Sequence, residues 1–174
     1  MANDTVTIDE IEVAPYNPVW NAGQTQALYS IGEAIVEEST TFTKPVMLDK
    51  IDALVQNYKL PNSKTCCYFA SSQDPDGTSL MYIGAIAGFV QDSWFDGSTS
   101  LNDFFLYVYP GARRTTAAAQ LIAAYEAYGR SVGVDKINLG ISTGLRQKAL
   151  GRFYESAGYQ QSATQYTKEI DNVL

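Results

Sequence analysis

Residues 101–121 constrain the fold most, because three conformationally different segments follow one another there without a break. Residues 104–109, Phe-Phe-Leu-Tyr-Val-Tyr, are an apolar run rich in aromatic and branched side chains, and Pro110 closes it by withholding a ladder donor. Residues 111–116 make a small-residue turn that carries Arg113 and Arg114 and no acid. From Ala117 the chain becomes strongly helical, with Leu121, Ile122 and Tyr125 on one face. The helix is expected to run to about residue 132, with Gly129 and Gly133 near its end. Residues 136–142, Lys-Ile-Asn-Leu-Gly-Ile-Ser, then alternate as a strand. The connection between the two strands suits a right-handed helical crossover, so they are predicted to lie parallel.

The other segments supply partners for this unit. Residues 5–13 partly alternate and predict a half-exposed first strand, after which Pro15 and Pro18 break the path. Over residues 24–38, Ala27, Leu28, Ile31, Ala34 and Ile35 recur at helical spacing. Glu37 and Glu38 fall at the end of that helix, where its dipole disfavours acids; they read as solvated surface or as acids facing a cationic substrate. A second helix over 47–58 carries Leu48, Ile51, Leu54 and Val55 on one face, and residues 59–64 form a loop. Strands over 65–72 and 79–90 pair as a hairpin through Asp74-Pro75-Asp76-Gly77. Gly84 and Gly88 mark bulges or close backbone approach; Trp94 and Phe95 end the strand, and 96–102 reads as a polar loop. A last helix over 144–157 stops at Gly158, and 159–170 supplies one or two closing strands. The order β-α-α-β-β-β-α-β-α-β(-β) predicts a single α/β (α+β) domain over 1–174, with a mixed, mostly antiparallel sheet of 6–7 strands flanked by about four helices.

Composition narrows the chemistry. A formal net charge of −7 argues against nucleic acid as a generic partner and suits cationic or amine substrates better. No apolar run reaches the roughly 18 residues of a membrane span, and Met-Ala-Asn-Asp is no signal peptide, so a soluble, cytoplasmic protein without a membrane partner is expected. Cys66 and Cys67 are adjacent on a strand, point to opposite faces and read as reduced, packed residues. The chain has no histidine, which removes Ser-His-Asp and Cys-His catalysis and the commonest transition-metal ligand; no metal site is expected. Carboxylates, tyrosine, backbone dipoles or a cofactor must carry any reaction.

A helix N-terminus presents unpaired N–H groups and partial positive charge, so the turn before Ala117 is a seat for phosphate, or else an ordinary connection with two solvated arginines. The segment resembles the coenzyme A loop of the GNAT superfamily of N-acetyltransferases, Val-x-Pro-x-x-Arg/Gln-x-x-Gly-x-Gly/Ala. Val108, Pro110, Arg113 and Ala118 match, while Thr116 stands where the middle glycine is usual and requires a backbone that a β-branched residue tolerates. A second likeness lies in residues 147–159, which resemble the family's closing signature Asn-x-x-Ala-x-x-Leu-Tyr-x-x-x-Gly-Phe. Tyr154, Gly158 and Tyr159 match in kind, Gln147 replaces the asparagine and Leu150 the alanine. Helical spacing puts Leu150, Phe153 and Ala157 toward the core and Gln147, Gly151 and Tyr154 on an adjacent stripe, against which a cofactor arm fits.

The resemblance implies acetyl-CoA as co-substrate and direct transfer of its acetyl group to an amine, on a small molecule or on a protein or peptide. It implies that Leu106 and Val108 meet the pantetheine arm between the two parallel strands, that Arg113, Arg114, Thr115, Thr116, Ala117 and Ala118 hold the pyrophosphate, and that Gln147 and Tyr154 lie beside the cofactor. A backbone N–H near Val108 would stabilise the oxyanion and Tyr154 would protonate the departing thiolate. The general base stays open among Asp103, Glu37, Glu38 and a carboxylate acting through water; Arg146, Lys148 and Arg152 face the outer phosphate or only solvent. The chain is similar to small GNAT proteins of bacteriophages and bacteria, which makes a host cytoplasm or a virion alternative locations and leaves homodimerisation open. The competing reading is a non-catalytic module that docks to a particle or host factor, favoured by Thr116, Gln147 and the abundance of tyrosine.

Overall fold

The structure, a computed structural model, describes residues 10–17, 22–42, 44–58, 60, 63–74, 76–141 and 147–163. In chain order these form β1 (Glu12–Pro15), α1 (Ala22–Glu38), α2 (Leu48–Tyr58), β2 (Thr65–Gln73), β3 (Leu80–Asp92), β4 (Thr99–Val108), α3 (Ala117–Val132), β5 (Lys136–Asn138) and α4 (Gln147–Ser156). The strands make one sheet in the order β1-β2-β3-β4-β5, antiparallel throughout except for the parallel pair β4–β5. The α/β class and the parallel crossover agree with expectation.

Strand alternation sorts the core onto two faces. Leu28 and Ile31 of α1 and Val55 of α2 pack on Cys67, Phe69, Ala85 and Tyr107. On the opposite face Leu121, Ile122 and Tyr125 of α3 and Tyr154 of α4 pack on Cys66, Ile86, Leu101 and Val108. Cys66 and Cys67 are thus buried on opposite faces, and burial pushes the Cys66 thiol up to about 12 and the Cys67 thiol higher still. Neither is a thiolate near neutral pH.

Several boundaries differ from the sequence reading. Residues 5–9 of the expected first strand lie outside the described residues, and β1 continues through Pro15, which pairs with Tyr68. Proline is tolerated there because β1 is an edge strand and Pro15 is its last residue. β4 starts at Thr99, so residues 99–102 of the expected loop are strand, held from β3 by the ladder Val90–Leu101 to Asp92–Thr99. Trp94 and Phe95 lie in the turn beyond β3, 93% and 101% exposed. β5 stops at Asn138 rather than 142, and residues 144–146 of the expected last helix lie outside the described residues. Among the described residues the sheet has five strands rather than 6–7. Residues 159–163 form no strand and 164–170 lie outside the described residues. No helix among the described residues is long and apolar enough to cross a membrane.

Both glycines of β3 permit close approach. A Cβ on Gly84 would come within 2.6 Å of the Tyr107 carbonyl oxygen, and one on Gly88 within 2.0 Å of the Tyr125 hydroxyl. Register slips at Ala87/Gly88, where Gly88 faces Asp103 and Ala87 faces Phe105, leaving Phe104 as the extra residue of β4.

Candidate active site

The bulge at Phe104 turns β4, since an extra residue bends a strand and increases its twist. β5 pairs with β4 only from Ser100 to Asn102, and past that point the two parallel strands part. At the crotch of this fork the Asp103 carboxylate accepts the Gly140 N–H at 2.8 Å, doing with a side chain what the ladder no longer does. Beyond it, the edge of β4 that faces away from β3 pairs with no strand among the described residues. Tyr109 gives its N–H to Ile83 of β3, so by alternation Tyr107 and Phe105 also face β3 while Leu106 and Val108 address the fork. The two residues expected to meet an extended arm are therefore those on the open edge.

The edge leads straight into the turn. Pro110–Ala112 forms a single 3₁₀ turn, and Thr115 ties the next step by donating to the Ala112 carbonyl at 2.7 Å and accepting the Ala117 N–H at 3.2 Å. Thr116 adopts φ −79° and ψ 0°, a right-handed conformation, which explains why threonine replaces the usual glycine without strain. The backbone N–H groups of Arg114, Thr116, Ala118 and Ala119 have no acceptor among the described residues. They lie at the N-terminus of α3, a helix of 16 residues.

Arg113 is placed differently from expectation. Its guanidinium donates to the Val108 carbonyl at 2.8 Å and to the Glu38 carboxylate at 2.6 Å, and stacks 5.5 Å from the centre of the Tyr107 ring. Glu38 also accepts the Tyr107 hydroxyl at 2.5 Å. It is thus a half-buried ion-pair partner that pins the last turn of α1 to the loop, rather than a solvated acid. Arg114 and Glu37 are exposed.

Asp103 and Tyr154 lie on the α3/α4 face, near enough for the Asp103 charge to act on the phenol. Burial lifts the Asp103 carboxyl to about 6, moderated by the Gly140 N–H. Tyr154 is 7% exposed, its phenol raised by burial and by the nearby Asp103 charge. Its ring lies 6.0 Å from those of Phe153 and Tyr159. The expected division of α4 is corrected here: Tyr154 is its buried residue, Leu150 and Phe153 are half-buried against the same cluster, and Ala157 is exposed. Gln147, Lys148 and Arg152 are exposed, and Arg146 lies outside the described residues.

A sequence model of the acetyltransferase (GNAT) family matches residues 33–159, from the middle of α1 to the end of the Tyr154 motif. This chain belongs to the GNAT family. No curated protein sequence matches it. Among solved structures, it is similar to the aminoglycoside N-acetyltransferase AAC(6')-Iy in complex with CoA, at 14% identity and TM-score 0.67, over 93% of this chain and 95% of that one. Glucosamine-6-phosphate N-acetyltransferase from Arabidopsis thaliana matches at 12% identity and TM-score 0.65, over 94% and 100%. An acetyltransferase from Trypanosoma brucei matches at 16% identity and TM-score 0.63, over 92% and 100%. These likenesses are of fold.

The GNAT fold here holds one more feature, unforeseen from sequence. A cavity of about 600 Å³ lies between α1, α2, the segment joining them and the Phe104–Phe105 stretch of β4. Its walls were legible only as the apolar faces of two helices, which gave no sign that the helices leave space between them. The Glu38–Arg113–Tyr107 cluster was missed likewise; the one signal was an acid at a helix C-terminus, where only a cation from elsewhere makes it favourable.

Proposed function

We propose that this GNAT chain transfers an acetyl group from acetyl-CoA directly to an amine. The observation that carries the reading is the continuity of two polar surfaces: the β4 edge at Leu106 and Val108, and the N–H groups of Arg114, Thr116, Ala118 and Ala119, both unpaired among the described residues. An extended amide arm suits the first and a diphosphate the second. The residues present fit such a co-substrate, with Thr115, Thr116, Ala117 and Ala118 forming the turn around the anion and Arg114 free to add charge. Acetyl-CoA supplies an activated acyl group as a thioester.

The remaining chemistry falls to this chain's own residues. The Val108 N–H, aimed into the fork, is a donor for charge developing on the carbonyl oxygen. Asp103, at the crotch, takes the proton that the amine loses as its N–C bond forms. The Tyr154 hydroxyl, a donor at neutral pH, gives a proton to the sulfur as the C–S bond breaks. Protons balance: one leaves nitrogen and one reaches sulfur. The buried, un-ionised cysteines give no reason for an acyl-enzyme.

Calorimetry with acetyl-CoA, paired with mass-spectrometric detection of acetylated amines, tests this. Arg114→Glu, which places negative charge at the anion seat, is expected to weaken acetyl-CoA binding at least tenfold. Equal binding by wild type and variant removes the loop from the site.

A further inference from the structure

We infer that the cavity between α1, α2 and β4 seats the acceptor, and that the acceptor is a small amine with an apolar body and an anionic group, not a polycation. The inference rests on the acetyl-transfer reading and adds the substrate's chemical class. Position comes first: Phe104 and Phe105 form one wall, and they sit between Asp103 at the crotch and Leu106 on the open edge. The cavity lies on the α1/α2 face and the Asp103 side chain on the α3/α4 face, so a molecule in the cavity approaches the fork from the side opposite Asp103, where β4 no longer pairs with β5.

Chemistry decides the class. Ile35, Val46, Met47, Ile51 and Leu54 make the walls apolar, and a volume near 600 Å³ admits a drug-sized molecule. The ionisable residues in the lining are Lys44 and Lys50, both exposed, with no Asp or Glu among the lining residues. That is notable in a chain with 19 acids and 12 bases. Neither lysine has a carboxylate within ion-pair distance among the described residues. A polycationic amine would meet two like charges and no acceptor, whereas a carboxylate-bearing one meets two free donors. The lysines also disfavour the protonated form of a nearby amine, which supplies the neutral nucleophile that acyl transfer needs.

The test separates cavity from catalysis. Ligand-observed NMR with 4-phenylbutanoate, an apolar anion lacking an amine, reads the cavity alone. Binding is expected, undisturbed by spermidine, and weakened at least tenfold by Lys44→Glu combined with Lys50→Glu; both side chains are exposed, and circular dichroism checks the fold. In parallel, CoA release is expected to be at least tenfold faster, as kcat/KM, with phenylalanine and related aromatic amino acids than with spermidine or kanamycin. Preference for the polycations, or 4-phenylbutanoate binding indifferent to both lysines, overturns the inference while leaving acetyl transfer standing. Failure of acetyl-CoA to bind would instead overturn the acetyl-transfer reading, and lysine-dependent 4-phenylbutanoate binding would then still support the cavity's ligand class.

Discussion

Asp103 carries two consequences of opposite sign. Burial raises its folded pKa from an ordinary 3.8 to about 6, so the folded state holds its proton more tightly than the unfolded chain. The stability tied to that proton is present below about pH 4 and is lost as pH rises through 6. Asp103→Asn should therefore match wild type in acid and exceed it at pH 7 by on the order of 1–3 kcal/mol in urea denaturation. Activity should move the other way. As the proposed base, Asp103 would work only when ionised, so kcat/KM should climb through about pH 6 and lose that limb in the asparagine variant. Tyr154→Phe separates chemistry from packing: the ring stays in the cluster, so acetyl-CoA affinity and stability should hold while kcat falls tenfold or more. An unchanged kcat assigns Tyr154 to packing alone.

At the scale of elements, β3 and α3 meet through an awkward pair. Among the described residues the buried Tyr125 hydroxyl finds no hydrogen-bond partner, and it rests where a Gly88 side chain would stand. Tyr125→Phe is expected to raise stability by about 1 kcal/mol, since it removes an unsatisfied polar group. Gly88→Ala should lower stability by roughly 1–3 kcal/mol or more through overpacking against backbone and ring, and pairing it with Tyr125→Phe should recover part of the loss. Thermal melts of the three variants decide it. The glycine was visible in sequence as an interruption in a strand; the hydroxyl opposite it was not, because local spacing cannot say which helix residue crosses which strand.

Legibility across the whole molecule follows the same division between local and long-range causes. The order of elements, the Asp74 hairpin and the parallel crossover were readable because each rests on periodicity or turn chemistry within a few residues. So was the placement of Leu106 and Val108 near the end of a strand and of Thr116 just before a helix, which depends on one strand leading into one helix. The role of Arg113 was not, because its partner is 75 residues away on α1. The start of β4 was misplaced because Thr99 to Asn102 are polar, and only their pairing with β3 and β5 makes them strand. The cavity escaped for a related reason, as it is defined by what two helices fail to fill.

That distant partnership makes the molecule's two recesses an interlock. The same arginine that holds the end of α1 also borders the anion seat, and Ile35 and Val36 on that turn line the acceptor cavity. Pulling Arg113 toward a diphosphate would take its ion pair from Glu38 and loosen the α1 turn that lines the other chamber, so the first occupant rewrites the welcome given to the second. Affinity for 4-phenylbutanoate should then change at least threefold when CoA is present, and that sensitivity should vanish in Glu38→Gln. Turnover would accordingly be sequential, with the nucleotide-bearing partner entering ahead of the amine.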